Sequence, residues 1–270
     1  MKRFETKLDA LSLYYKKEIV QLRQEVHALK SNTLHPIGSQ LNPAKSCKEI
    51  YEMESFPPSG PYYLNITGNL TKVYCIMEDG TKTCPAGSTL VLKIDGTKDT
   101  FAYSSPLWTN KDVWKEKNGE IFFAKSETKL STYWGVSFNQ VCVIMQRMES
   151  LVNETKSLVI RQTSTSLYDL VVGGEYHPVN NSWQLWNSLL PSYPTQPSCV
   201  RQGFNAHDQA KDFLGTRIGM ILSNNQNCTL FDSFIGFGTK GRETKRNISC
   251  GSYNTTLHNA VPGFGYVFVY

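Results

Sequence analysis

Seven cysteines, seven Asn-x-Ser/Thr acceptors and five histidines are the residues of this chain whose types could do chemistry. The cysteines, at 47, 75, 84, 142, 199, 228 and 250, stand far apart. None forms Cys-x-x-Cys and none lies beside a histidine at ligand spacing, so the pattern suits disulfides rather than zinc. An odd count leaves one thiol free or bonded to another chain. The acceptors are Asn65, Asn69, Asn153, Asn180, Asn227, Asn247 and Asn254. Such sites are used only on surface loops of secreted proteins, so both counts point to an oxidising, extracellular compartment.

The histidines, His27, His35, His177, His207 and His258, are scattered. The most ligand-like cluster, His207-Asp208 with Asp212, reads as a solvated polar loop. No His-Glu-x-x-His or Gly-x-Ser-x-Gly motif occurs, no Cys-His pair suggests a nucleophile, and no catalytic residue is expected. Gly236-Phe237-Gly238-Thr239-Lys240-Gly241 matches the dinucleotide fingerprint. It is followed by Arg242-Glu243-Thr244-Lys245-Arg246 rather than an apolar helix that would take phosphates at its N-terminus, and it reads as a loop. Trp183 and Trp186, three apart, read as one apolar helix face.

The elements that must position these residues divide the chain. Residues 1–31 contain no Gly, Pro or Cys, and apolar residues at Phe4, Leu8, Leu11, Tyr15, Ile19, Leu22, Val26 and Leu29 make a heptad seam with one stutter. A coiled-coil stalk helix for self-association is expected there. Residues 32–45, rich in Pro, Gly, Ser and Asn, read as a linker. Residues 46–270 form a domain of short β-branched and aromatic runs. Leu90–Ile94, Val141–Met145, Ser157–Ile160 and Gly219–Leu222 read as strands, and Tyr266–Tyr270, apolar on both faces, as a buried central strand. The overall expectation is an α+β fold.

Of 270 residues, 28 are Lys or Arg and 23 are Asp or Glu, a net charge of +5. Residues 1–46 carry +4 of it, so the globular part has no electrostatic footprint for nucleic acid. A 40% hydrophobic and 12% aromatic content supports a packed core. No run of about 18 apolar residues spans a membrane. The opening Met1-Lys2-Arg3-Phe4-Glu5-Thr6-Lys7 has no apolar signal region, so the expectation of secretion carries with it the expectation of an incomplete N-terminus.

Three segments carry a resemblance: Ser46-Cys47-Lys48-Glu49-Ile50, Pro58-Ser59-Gly60-Pro61-Tyr62-Tyr63-Leu64 and Val73-Tyr74-Cys75-Ile76-Met77. They resemble the start of a fibrinogen-related domain. Later runs, among them Tyr103–Asn110, Ser166–Leu170, Gly203–Ala206, Arg217–Gly219 and Asp232–Gly238, resemble a cnidarian branch of that family with members in the coral skeletal organic matrix. The resemblance covers about Ser46 to Tyr270. It implies a fibrinogen C-terminal-like fold and a Cys47–Cys75 bond, which closes a loop worth about 3.6 kcal/mol on chain entropy. Cys84–Cys142 and Cys228–Cys250 are expected beside it, with Cys199 unpaired or bonded to a second chain.

The chain departs from the family at Ala86-Gly87-Ser88-Thr89, where Gly-Gly-Trp-Thr is usual, and at Phe231, where the branch has a cysteine. No cofactor is expected. A calcium loop has no clear counterpart and is not placed, nor is the family's sugar pocket. The resemblance implies a secreted, glycosylated, non-enzymatic component of the organic matrix of a coral calcified skeleton, meeting other matrix proteins or glycans. The alternative is lectin-like recognition of carbohydrate.

Overall fold

The computed structural model describes residues 15, 18, 19, 21, 22, 35–78, 84–148, 155–190, 196–208, 214–224, 226, 228–241, 248–254 and 259–270. Among them lie twelve strands, β1 (Gly60–Ile66), β2 (Asn69–Ile76), β3 (Ser88–Asp95), β4 (Thr128–Lys129), β5 (Phe138–Arg147), β6 (Lys156–Ser164), β7 (His177–Pro178), β8 (Cys199–His207), β9 (Gly215–Ser223), β10 (Ser233–Lys240), β11 (Cys250–Asn254) and β12 (Asn259–Val269). Every pairing between them is antiparallel.

Four short α-helices accompany them, α1 (Cys47–Met53), α2 (Thr132–Gly135), α3 (Leu167–Val171) and α4 (Trp183–Leu189), with two 3-10 turns at Pro106–Trp108 and Glu116–Glu120. The expected α+β fold is therefore wrong. The chain is mostly antiparallel sheet, because its β-branched and aromatic runs outnumber its helical periods. The expected N-terminal coiled coil is not supported either. Most of residues 1–31 lies outside the described residues. Tyr15, Ile19 and Leu22, three positions of the expected seam, are helical but 57%, 48% and 55% exposed.

The strand order is β1-β2-β3-β12-β11-β10-β9-β8-β7, with β4 added to β3, and β5 joining β12 to β6. β12 is the spine. Its first residues pair with β11, and Phe264–Val269 pair with β3 on one side and β5 on the other. Phe264, Tyr266, Val267, Phe268 and Val269 are fully buried, as the apolar run predicts. The sequence-predicted strands at Leu90–Ile94, Val141–Met145, Ser157–Ile160 and Gly219–Leu222 all fall inside strands.

The expected linker is partly docked. Tyr63 N–H donates to Gly38 O at 2.8 Å, Ala44 N–H to Tyr63 O at 3.2 Å and Asn65 N–H to Ala44 O at 2.7 Å. Residues 38–44 thus cover the outer edge of β1, which would otherwise offer unpaired backbone to another chain. Ser46 caps α1 by accepting from Glu49 N–H, and this places Cys47 in the core.

Candidate functional site

The most distinctive chemistry lies inside the sheet. Among the described residues, Lys93, Lys129 and Arg217 are buried, and none has a carboxylate partner within ion-pair distance. Lys93 Nζ donates to Asn118 O at 3.0 Å and Ile121 O at 2.9 Å, and lies 5.9 Å from the Tyr266 ring centroid. Lys129 Nζ donates to Asn110 O at 2.8 Å and Asn110 Oδ1 at 2.7 Å, with the rings of Tyr133 and Trp134 at 5.0 and 5.5 Å. Burial lowers both lysines to about 8.

Because Lys93 faces Thr128 and Lys129 faces Leu92 across the β3–β4 pair, the two ammoniums leave opposite faces of the sheet. The segment 110–121 passes over the edge of β4, where Trp114 and Lys129 exchange backbone bonds, and each lysine grips one end of it. Carbonyl oxygens and ring faces take the place of counter-ions.

Arg217, on β9, is the third such centre. Its Nε donates to Tyr103 O at 2.8 Å and its Nη1 to Asn205 Oδ1 at 3.0 Å. The guanidinium lies 4.4 Å from the Tyr103 ring, and Lys240 Nζ lies 4.6 Å from the same ring. Asn205, at φ 50°, donates in turn to Val171 O and Glu175 O, both at 3.0 Å. Tyr133 hydroxyl donates to Trp108 O at 3.0 Å, and Trp108 Nε1 to Ala102 O at 3.1 Å. Burial raises the phenols of Tyr103 and Tyr133 and lowers Arg217. The family-like runs at Tyr103–Asn110, Gly203–Ala206 and Arg217–Gly219 therefore meet at one place, and what they build there is a brace between loop 101–110, the end of α3 and strands β8 and β9.

His207 and Asp208 sit beside this brace. The expectation of a solvated loop fails, since Asp208 is fully buried and His207 nearly so. Their contact is through His207 Nδ1 and Asp208 O at 2.7 Å, while Asp208 Oδ2 accepts from Leu214 N–H at 3.2 Å. Asp212 lies outside the described residues. No group of three or more His, Cys, Asp or Glu among the described residues is placed to hold a metal ion.

The cysteines close three bonds. Cys47–Cys75 and Cys84–Cys142 are joined, the same two pairs expected from the sequence. The third bond is Cys199–Cys228, in place of the expected Cys228–Cys250, and the free thiol is Cys250 rather than Cys199. Strand register explains the change. Cys199 pairs with Ser223, and Cys228 lies in the turn that follows β9. Cys250 lies opposite Phe237, four residues up β10 from Ser233, about 13 Å farther along the strand. A Cβ at Gly265 would stand 2.7 Å from Cys250 Sγ, so the thiol occupies space left by a glycine. Burial raises the Cys250 thiol well above its usual range. Phe231 packs with Cys199, Ile221, Phe234 and Tyr253 in a small cluster separate from the main core that holds Cys250. A cysteine at 231 would have stood on the Cys199 side.

No protein-family model matches the chain.

The other sequence expectations divide. Asn65 and Asn69 are exposed on either side of the Thr67-Gly68 turn, and Asn180 is exposed before α4. Asn254 is 1% exposed inside β11, where a glycan has no room, so that acceptor is withdrawn. Asn153, Asn227 and Asn247 lie outside the described residues, as do His27 and His258. Gly236–Lys240 is strand β10 rather than a loop or a phosphate cradle. Gly236, at φ 156°, is required because a Cβ there would strike Ile218 O and Thr216 Oγ1 of β9. Trp186 is fully buried and Trp183 packs against the same core, as expected of one helix face.

Two features carried no sequence signal strong enough to be read. Lys93, interrupting the apolar run Leu90–Ile94, was the one visible hint of a buried cation. The other feature is a cavity of about 450 Å³ between Pro36–Gln40, Glu54, Pro57, Pro58 and Pro61–Tyr63. The three disulfides fit an extracellular or secreted protein. No helix among the described residues is long and apolar enough to cross a membrane.

Proposed function

We propose that the chain is a secreted, glycosylated, non-enzymatic structural protein of an extracellular matrix, and, following its resemblance to the cnidarian fibrinogen-related branch, a component of the organic matrix of a calcified coral skeleton. The observation that carries the reading is the pattern of disulfides. Three covalent bonds staple a sheet whose interior cations are already committed to carbonyls and rings. Such a domain suits an oxidising compartment outside the cell. Exposed Asn65, Asn69 and Asn180 offer glycan sites that would keep it hydrated and soluble until it is laid down. Its partners on this reading are other matrix proteins or glycans. The test is extraction of mineral-bound protein followed by peptide mapping. Peptides of this chain in the mineral-bound fraction support the reading, and their confinement to soft tissue overturns it.

A carbohydrate-recognition role has one observation in its favour. The cavity beside Tyr62 and Tyr63 is large enough for a short oligosaccharide and presents aromatic rings with Glu54, Gln40 and Ser39. A glycan array probed with the full chain, in calcium and in chelator, decides this second reading. Silence in both conditions rejects it.

A further inference from the structure

The three disulfides differ in one respect that bears on their chemistry. Cys47, Cys75 and Cys142 are completely buried and Cys84 is 1% exposed. Cys199, at the start of β8, is 3% exposed, but its partner Cys228 is exposed in the turn between β9 and β10. A thiolate must reach a disulfide sulfur along the S–S axis, so access separates a labile bond from an inert one. Two bonds are closed to attack from either end, and the third is open from the Cys228 side alone.

We infer that Cys199–Cys228 is a thiol-exchangeable bond and that Cys228 is a covalent attachment point for thiol-bearing molecules. In the step, an incoming thiolate RS⁻ attacks Cys228 Sγ. The new RS–S bond forms as the Cys199–Cys228 bond breaks, and the electron pair leaves on Cys199 as a thiolate, which then takes a proton from water. No net oxidant or reductant is consumed beyond the attacking thiol, and reversal regenerates the starting bond.

The rest of the fold survives the step. The bond spans 29 residues and ties a surface turn to a strand start, while β8 stays paired to β9 over Cys199–His207. The two buried disulfides tie other parts of the fold, Cys47 of α1 to Cys75 of β2 and Cys84 to Cys142 of β5. The domain is thus built to exchange one bond while keeping the other two, which gives a matrix protein a site for covalent coupling to a neighbour's thiol.

The test uses the folded full chain, with and without enzymatic removal of N-glycans so that a sugar on Asn227 cannot mask the bond. Reduced glutathione is added in steps without denaturant, exchange is quenched with acid, and cysteine peptides are mapped. The expected result is a glutathione adduct on Cys228 with Cys199 as a free thiol, appearing at least about tenfold faster than opening of either other bond. A cysteine-bearing peptide in place of glutathione is expected to couple at the same residue. Three results overturn the inference: adducts at Cys47, Cys75, Cys84 or Cys142 at a comparable rate, an adduct on Cys199 in place of Cys228, or no opening before the domain unfolds. The Cys199→Ala/Cys228→Ala variant provides the control. It is expected to remain folded by circular dichroism and to form no native-state adduct, and an undiminished adduct yield in it also overturns the inference.

Discussion

Replacing a buried lysine by methionine should remove that lysine's contribution to stability at alkaline pH. Lys93 and Lys129 are lowered from 10.5 to about 8 by burial. The unfolded chain therefore holds these protons between pH 8 and 10.5 while the folded chain gives them up, and stability rises with pH across that window. Taken alone, the shift gives about 1.4 kcal/mol per lysine between pH 7 and pH 9. The carbonyl bonds to Asn118, Ile121 and Asn110 favour the ammonium and reduce this to about 1 kcal/mol each.

Other groups push the opposite way. Burial raises Cys250, Tyr133 and Tyr266, so they keep protons that the unfolded chain loses, and stability falls through pH 8.5 to 10 and beyond. The wild-type curve mixes both trends, whereas the difference between wild type and Lys93→Met or Lys129→Met isolates the lysine. The assay is urea unfolding at pH 7, 8 and 9 on all three proteins. The wild type should gain about 1 kcal/mol more than each variant between pH 7 and pH 9. A pH-independent difference would refute the reasoning, because it would mean that the buried ammoniums titrate as they do in water.

Other outcomes follow from the same packing. Gly236→Ala should destabilise by about 2 kcal/mol or more, since the new Cβ meets Ile218 O on the neighbouring strand, and thermal unfolding measures it. Cys84→Ala/Cys142→Ala removes a bond across 58 residues and should cost about 4 kcal/mol, read as a lowered urea midpoint. Iodoacetamide should leave Cys250 unlabelled in the folded chain and label it fully in denaturant, as mass spectrometry of its peptide will report. Glycopeptide mapping of chain secreted from eukaryotic cells should find sugar on Asn65, Asn69 and Asn180 and none on Asn254.

The strands were legible because their signals are local. Leu90–Ile94, Val141–Met145 and Tyr266–Tyr270 announce buried sheet by β-branched and aromatic density alone. The resemblance at Cys47 and Cys75 supplied one disulfide that no local pattern could. What stayed hidden depends on which strands lie side by side. Cys199 meets Cys228 because β8 pairs with β9 in a register that brings the following turn back, and spacing along the chain does not encode that register.

Lys93 hints at burial by interrupting the apolar run Leu90–Ile94, whereas Lys129 looks like an ordinary solvated lysine until segment 110–121 is laid over the edge of β4. Asn254 carries a valid acceptor motif, yet motif and burial are independent, and β11 sits inside the sheet. The α+β expectation for the domain at 46–270 fails because its described α-helices are short, seven residues at most, beside twelve antiparallel strands.

The most direct test of a stapled extracellular domain is non-reducing disulfide mapping of the full chain secreted from eukaryotic cells. The account predicts Cys47–Cys75, Cys84–Cys142 and Cys199–Cys228, with Cys250 as the single thiol. A Cys228–Cys250 bond, or a secreted chain carrying all seven cysteines as thiols, would contradict it.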